Sequence, residues 1–288
     1  MSSWRARVRL PRTLHEQLTA LMVCLLVVSI WVLAVMSTTI LQAKFEKVLF
    51  DQQFATVSYV AADIDYKLRM RIDGLVKIAP GIPADVDGNV AKVERYLAEQ
   101  PLLVDLFSGG MAVIGLDGRT RVDYPQAPGR RGTYYGDRDY FRQVVATGKP
   151  YIDKPIMGRA LKRPVLTIAV PVFDGAGKLR AVLTGITDLT APNFFGVILD
   201  PAMTGRGEFF VFSPHDDLIV AATDAKRTLT APPARGINTT YDRFVDGFEG
   251  SGLGVSSQGI AKLYSAKAFR WRTGSSWPGC RPPSPTNR

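Results

Sequence analysis

Residues 134–189 read YYGDRDYFRQVVATGKPYIDKPIMGRALKRPVLTIAVPVFDGAGKLRAVLTGITDL, and this stretch decides the fold. Residues 137–147 predict a short amphipathic helix, and 148–161 an aromatic and charged loop. Residues 164–172 and 179–189 are rich in β-branched and aliphatic side chains, the composition of strands. Between them, Asp174-Gly175-Ala176-Gly177 supplies glycines that tolerate positive φ, so the two strands close as a hairpin. Upstream, 111–116 and 120–124 flank Asp117-Gly118, a second hairpin signal. Together these give at least four antiparallel strands with helices against one side, an α+β domain.

Further towards the N-terminus, no charged residue interrupts Leu18 to Leu41. About 20 apolar residues cross a bilayer as a helix. A cleaved signal peptide has a shorter apolar core and a small-x-small cleavage site, which this run lacks, so it reads as an uncleaved anchor. Arg5, Arg7, Arg9 and Arg12 precede the first acidic residue, Glu16, which places residues 1–17 in the cytoplasm and everything after Lys44 outside the membrane. Beyond Lys44, apolar residues at Phe45, Val48, Leu49, Phe54, Val57, Val60, Ala61, Ile64, Leu68, Ile72, Leu75 and Val76 recur at steps of mostly three and four, one buried helical face. No glycine or proline breaks 18–72, so the anchor is expected to run on into a stalk helix. Pro80-Gly-Ile-Pro83 ends it, and 90–99 predict another helix, capped by Asp87 or Asn89.

Towards the C-terminus, 193–199 read as a linker or short helix, and a second module follows. Residues 207–213 and 218–222 flank the turn Pro214-His-Asp-Asp217, and 259–268 read as one more strand. Gly250-x-Gly-x-Gly254 lacks a dinucleotide fingerprint and reads as a flexible segment. From Arg270 the chain is RWRTGSSWPGCRPPSPTNR, with no acidic residue, and reads as a disordered or aberrant tail. The expected division is thus 1–17, the membrane helix 18–41, stalk and first module 42–190, an incomplete second module 191–269, and the tail 270–288.

The net charge of +10 is carried by the ends: four arginines ahead of Glu16 and six basic residues after Glu249 account for all of it. The body is neutral and shows no basic face for nucleic-acid phosphates. The two cysteines, Cys24 in the apolar run and Cys280 in the tail, do not suggest a disulfide. The histidines, His15 and His215, lie in no metal-ligand cluster, and phosphate-binding loop, nucleophile-elbow and zinc-protease motifs are absent. Neither catalysis nor a cofactor or metal is expected. Asp216-Asp217 is a carboxylate pair by sequence, but adjacent turn residues point apart.

Arg138-x-Tyr140-Phe141, then Thr147-Gly-Lys-Pro-Tyr151, then Ala169-Val-Pro171-Val172 before the turn, closing on Gly185-Ile-Thr-Asp188-Leu189, resembles the Cache sensor domain of bacterial receptors. The resemblance covers roughly 45–269 and is closest to the double-Cache arrangement of chemoreceptors, sensor histidine kinases and diguanylate cyclases. It implies two PAS-like antiparallel modules and a periplasmic sensor, with a long helix that packs against both modules and permits a homodimer. It further implies truncation before a second membrane helix and an output domain. A non-signalling, membrane-anchored display module is the alternative.

A sensor pocket needs a few fixed charges in a mostly aromatic and apolar cavity. Arg138 can grip a carboxylate with its planar fork and Asp188 can receive an amine, while Tyr134, Tyr135, Tyr140, Phe141 and Tyr151 can form walls. The expected partner is a small amino acid, carboxylate or amine. In amino-acid-binding Cache domains the pattern is Arg-x-Trp-Tyr with a downstream Tyr and Asp; here Tyr140 replaces the tryptophan and Phe141 lacks the hydroxyl. Each residue also has a plain reading: Arg138 paired with Asp137 or Asp139, Tyr140 and Phe141 as core, Asp188 as a helix cap, and Asp153 with Lys154 as a solvated loop pair.

Overall fold

The computed structural model describes residues 14–83, 85–191, 194–196, 208–213, 216–255, 259 and 261–268. They fall into two units, Met1–Ala55 and Thr56–Arg288. Helix α1 (Leu14–Ile78) is continuous, as the absence of glycine and proline over 18–72 predicts, and it runs on through Gly74. In the first unit its apolar side chains are exposed, Trp31 at 70% and Leu33 at 66%. Ser29 and Thr38 donate their hydroxyls to the carbonyls of Leu25 and Ala34 one turn back, so they carry no unmet polar group. The segment is long and apolar enough to cross a membrane. Phe45, Val48 and Leu49 continue this exposed stretch, so the buried face of the stalk begins only at Val60.

In the second unit Val60, Ile64, Leu68, Ile72 and Leu75 form that buried face, against α2 (Val90–Ala98), α3 (Pro101–Leu106) and a sheet. The sheet is built from β1 (Met111–Gly115), β2 (Thr120–Tyr124), β3 (Tyr151–Ile152), β4 (Ile156–Met157), β5 (Pro164–Phe173) and β6 (Leu179–Asp188). It is antiparallel throughout, in the order β2-β1-β6-β5-β3, with β4 also on β5. Alternation divides its side chains. Val113, Leu183, Leu166, Ile168, Val170 and Val172 join the core that contains α1. Ile114, Val182 and Ala169 point the other way, onto Tyr140, Phe141 and Val144 of α4 (Asp139–Thr147). Helices therefore cover both faces, not one. The predicted loop 148–161 contains β3 and β4, strands of two residues each, too short for a period to show in sequence.

The second predicted module contributes β7 (Phe210–Ser213) paired with β8 (Leu218–Ala222), α5 (Thr239–Val245), and β9 (Gly250–Val255) paired with β10 (Ala261–Ala266). Val211, Val220 and Ala221 share the core of the six-stranded sheet. Asn238 caps α5, its side-chain oxygen accepting from the Thr240 and Tyr241 amides. Gly250-x-Gly-x-Gly254 is a paired strand, not a flexible segment. His215, Cys280, most of the predicted linker 193–199 and the tail 270–288 lie outside the described residues.

Gly185 lies against the buried Phe107 ring, where an added Cβ would stand 2.4 Å from the ring carbons. Gly185→Ala is expected to destabilise the protein by about 1–3 kcal/mol through overpacking, read as a lowered urea midpoint in far-ultraviolet circular dichroism.

Candidate functional site

The sheet face turned away from α1 is only partly covered by α4, and loops close over the rest. The Asp117-Gly118 turn starts this, because Gly118 adopts φ +79° and an added Cβ would collide with Gly136. The chain then returns alongside β2: Gly132 donates its amide to Thr120 O at 2.8 Å, and Tyr135 to Gly118 O at 2.7 Å. A second loop, 158–163, closes on itself through Gly158 N to Arg163 O at 2.8 Å. Arg159 joins the two loops. It donates to both carboxylate oxygens of Asp137, at 3.2 and 2.8 Å, and to the carbonyl of Tyr134. These bonds hold the Asp137 carboxyl below its ordinary range.

Beneath these loops is a small pocket, partly open to solvent, with a cavity volume of about 40 Å³. Ala112, Ile114, Thr184, Ile186, Val165 and Thr167 form its floor, from strands β1, β6 and β5. Thr120, Arg130, Tyr135, Arg138, Tyr140 and Arg159 bring its polar groups. Three guanidinium groups line it and, among the described residues, no carboxylate does. They surround Tyr135, whose hydroxyl is pushed up by burial and drawn back down by all three arginines. Burial also pushes the Tyr140 hydroxyl far up, so both phenols are neutral hydrogen-bonding groups.

Of the residues selected from sequence, Tyr135, Arg138 and Tyr140 line this pocket. Arg138 stands at the N-cap of α4 with extended backbone, so its side chain leaves the helix direction. Its Nε is buried without a hydrogen-bond partner. The plain reading of Arg138 is not what the structure shows, because Asp137 is held by Arg159 and Asp139 by Arg142. Phe141 is in the adjoining apolar cluster, with Tyr151 packed against it. Tyr134 is 47% exposed and contributes its carbonyl. Asp188 is outside the lining; it pairs with Arg163 at 3.1 Å and accepts from the Thr190 amide and hydroxyl.

Sequence reasoning missed Thr120, Arg130, Arg159, Thr167 and Thr184. Alternation along the strands could have found the threonines, since they share a face with Ile114 and Ala169. Nothing local distinguishes Arg130 from the adjacent Arg131, yet Arg130 is 3% exposed and Arg131 lies outside, paired with Glu94. Asp153 corrects the solvated-pair expectation: it is 2% exposed, while Lys154 is exposed. Its backbone amide bonds Thr167 O between β3 and β4, which draws the side chain in. Burial, reinforced by Asp139, pushes its carboxyl up to about 7, against an opposing bond from the Lys154 amide.

No protein-family model matches the chain, and no curated protein matches it. Solved structures do. The ligand-binding domain of the Pseudomonas aeruginosa PAO1 amino-acid chemoreceptor PctB, in complex with L-Arg, superposes with TM-score 0.58 at 20% identity, over 79% of this chain and 92% of that one. The ligand-binding domain of the Pseudomonas fluorescens chemoreceptor CtaA, in complex with L-leucine, gives 0.57 at 16%, over 80% and 92%. An extracellular ligand binding receptor from Desulfohalobium retbaense DSM5692 gives 0.53 at 15% over 71% of this chain, which spans only 36% of that receptor. At these identities the likeness is one of fold alone, the α+β fold of these chemoreceptor ligand-binding domains.

The raised Asp153 carboxyl makes a signed prediction. The native state holds a proton that the unfolded chain has released above its ordinary value of about 3.9, so stability falls as pH rises from about 4 to 7 and levels off beyond. Asp153→Asn is expected to remove this component, becoming more stable than the parent by a few kcal/mol at pH 8 and least different near pH 4, in urea unfolding at both pH values.

Proposed function

We propose that the chain is the ligand-binding region of a membrane-anchored bacterial receptor, recognising a small organic solute through a carboxylate. The unpartnered Arg138 Nε, buried at the edge of a pocket walled by Tyr135 and Tyr140, carries this reading. A buried N–H without an acceptor is costly, and a carboxylate supplies that acceptor with charge assistance. The lining presents no carboxylate to an amine, which favours an acid over an amine within the small-solute class. The pocket suits a molecule of a few carbons rather than a polymer, and its aliphatic floor suits a hydrocarbon body.

Residues 18–41 serve as the anchor, with the arginines before them on the cytoplasmic side and the sensor unit outside. Binding would act by selecting one of two arrangements of the sensor unit, in proportion to the difference in affinity between them. The reading assigns the chain no catalytic role. That the fold neighbours include domains solved with L-Arg and with L-leucine supports a small-solute ligand for this chain too.

Isothermal titration of the full chain in detergent against short carboxylic acids, amino acids and amines tests the reading. At least one acid is expected to bind, and Arg138→Ala to weaken it about ten- to a hundredfold, the loss of one charge-assisted interaction. Binding of amines alone, or acid affinity indifferent to Arg138→Ala, would sink it.

A further inference from the structure

The pocket contains a second cationic group that recognition of one carboxylate leaves unused. Arg159 is already neutralised by its paired bonds to Asp137, but Arg130 is not so occupied. Its Nη2 donates to Gly109 O at 2.7 Å, while its Nη1 is buried with no hydrogen-bond partner. The residue is only 3% exposed. Asp123 is the nearest opposing charge, and it is engaged elsewhere, accepting from the Ala127 amide at 2.8 Å and facing Arg131 at 3.5 Å. Thr120 shares the lining with Arg130; it is 2% exposed, and its hydroxyl is likewise buried without a partner.

Two orphaned donors in one lining point to a missing acceptor. Burying an unpaired guanidinium nitrogen and a hydroxyl without partners is the arrangement that folded proteins avoid except where something else supplies the bond. Arg130 and Thr120 belong to the β2 side of the pocket, and β5 closes the other side of the floor. With neighbouring strands about 4.8 Å apart, the order β2-β1-β6-β5 makes this floor roughly 14 Å wide. Between the polar groups the floor is Ala112, Ile114, Ile186 and Val165, which suits methylene carbons.

We propose that Arg130 and Thr120 form a second acid-binding subsite, so that the ligand is a short aliphatic diacid, with one acidic group on Arg138 and the other on Arg130 and Thr120. This rests on the carboxylate reading above and adds the second charge. It also names selectivity: a monoacid of equal length leaves the Arg130 and Thr120 donors unmet, and discrimination is strong when a site built to hydrogen-bond loses its partner.

The test titrates the full chain with α,ω-dicarboxylates of three to six carbons, each against the monocarboxylate of the same length. A diacid is expected to bind at least tenfold more tightly than its matched monoacid. In Arg130→Gln and Thr120→Val that ratio should fall towards one, by at least tenfold and by a few-fold respectively. Thr120→Val keeps shape and removes only the hydroxyl, so it decides the matter if Arg130→Gln fails to fold by circular dichroism. Monoacids that bind as tightly as diacids, with dependence on Arg138 intact, would overturn the second subsite and leave the carboxylate reading standing. If no acid of either kind binds, both fall together.

Discussion

Almost every paired side chain of β5 and β6, Arg180 excepted, is committed to one of two buried or partly buried faces, and this constraint fixes the rest of the unit. Val165 pairs with Asp188 and the ladder continues to Phe173 opposite Leu179. A slip of one residue would exchange Leu166, Ile168 and Leu183 for Thr167, Ala169 and Thr184, putting hydroxyls into the helix-facing core and aliphatic chains into the pocket. The turn pins the register: Asp174 accepts from the Ala176 and Lys178 amides through its side chain and holds Arg180 at 2.7 Å. At the centre, Thr184 donates its hydroxyl to Ala112 O at 3.0 Å, so a polar residue on the pocket face also ties β6 to β1.

The two most buried arginines show how a guanidinium built for structure differs from one built for a site. Arg71, on α1, is 1% exposed, donates to Leu106 O at 3.1 Å and Lys67 O at 3.0 Å, and lies over the Phe194 ring at 4.6 Å. Burial lowers it to about 10, still charged at neutral pH, and its planar fork joins α1 to the end of α3. Arg130 has comparable burial but one acceptor, and the residue lines a cavity. Burial alone does not distinguish them; the distribution of acceptors does.

The sequence made the long elements plain and the closures obscure. The two hairpins around Asp117-Gly118 and Asp174-Gly177 carried strong turn chemistry, and the break-free run from Leu18 to Ile72 could only be one helix. Arg138, Tyr135 and Tyr140 were legible because they flank the start of an amphipathic helix. Asp188 looked equivalent by position at the end of β6, but Arg163, twenty-five residues earlier and brought alongside by the hairpin, takes it. Asp153 looked solvated because it forms a charged pair in sequence with Lys154 in a predicted loop; an edge strand of two residues turned it inward. Pocket residues contributed by loops depend on contacts distant in sequence, such as Arg159 with Asp137, and no local pattern encodes those.

The sheet is also the layer through which occupancy of the pocket can be felt by α1. Ala112, Thr184 and Thr167 on the pocket face alternate with Val113, Leu183, Leu166 and Ile168, which pack in one core with Ile64, Leu68, Ile72 and Leu75. Close-packed interiors transmit small displacements because they leave no free volume to absorb them. On the proposed reading, an anion held by Arg138 and Arg130 would fix the loop segment 130–138 against the floor. The same strands then favour whichever packing against α1 best suits the filled pocket. How far such a balance would move is set by the affinity difference between the two packings.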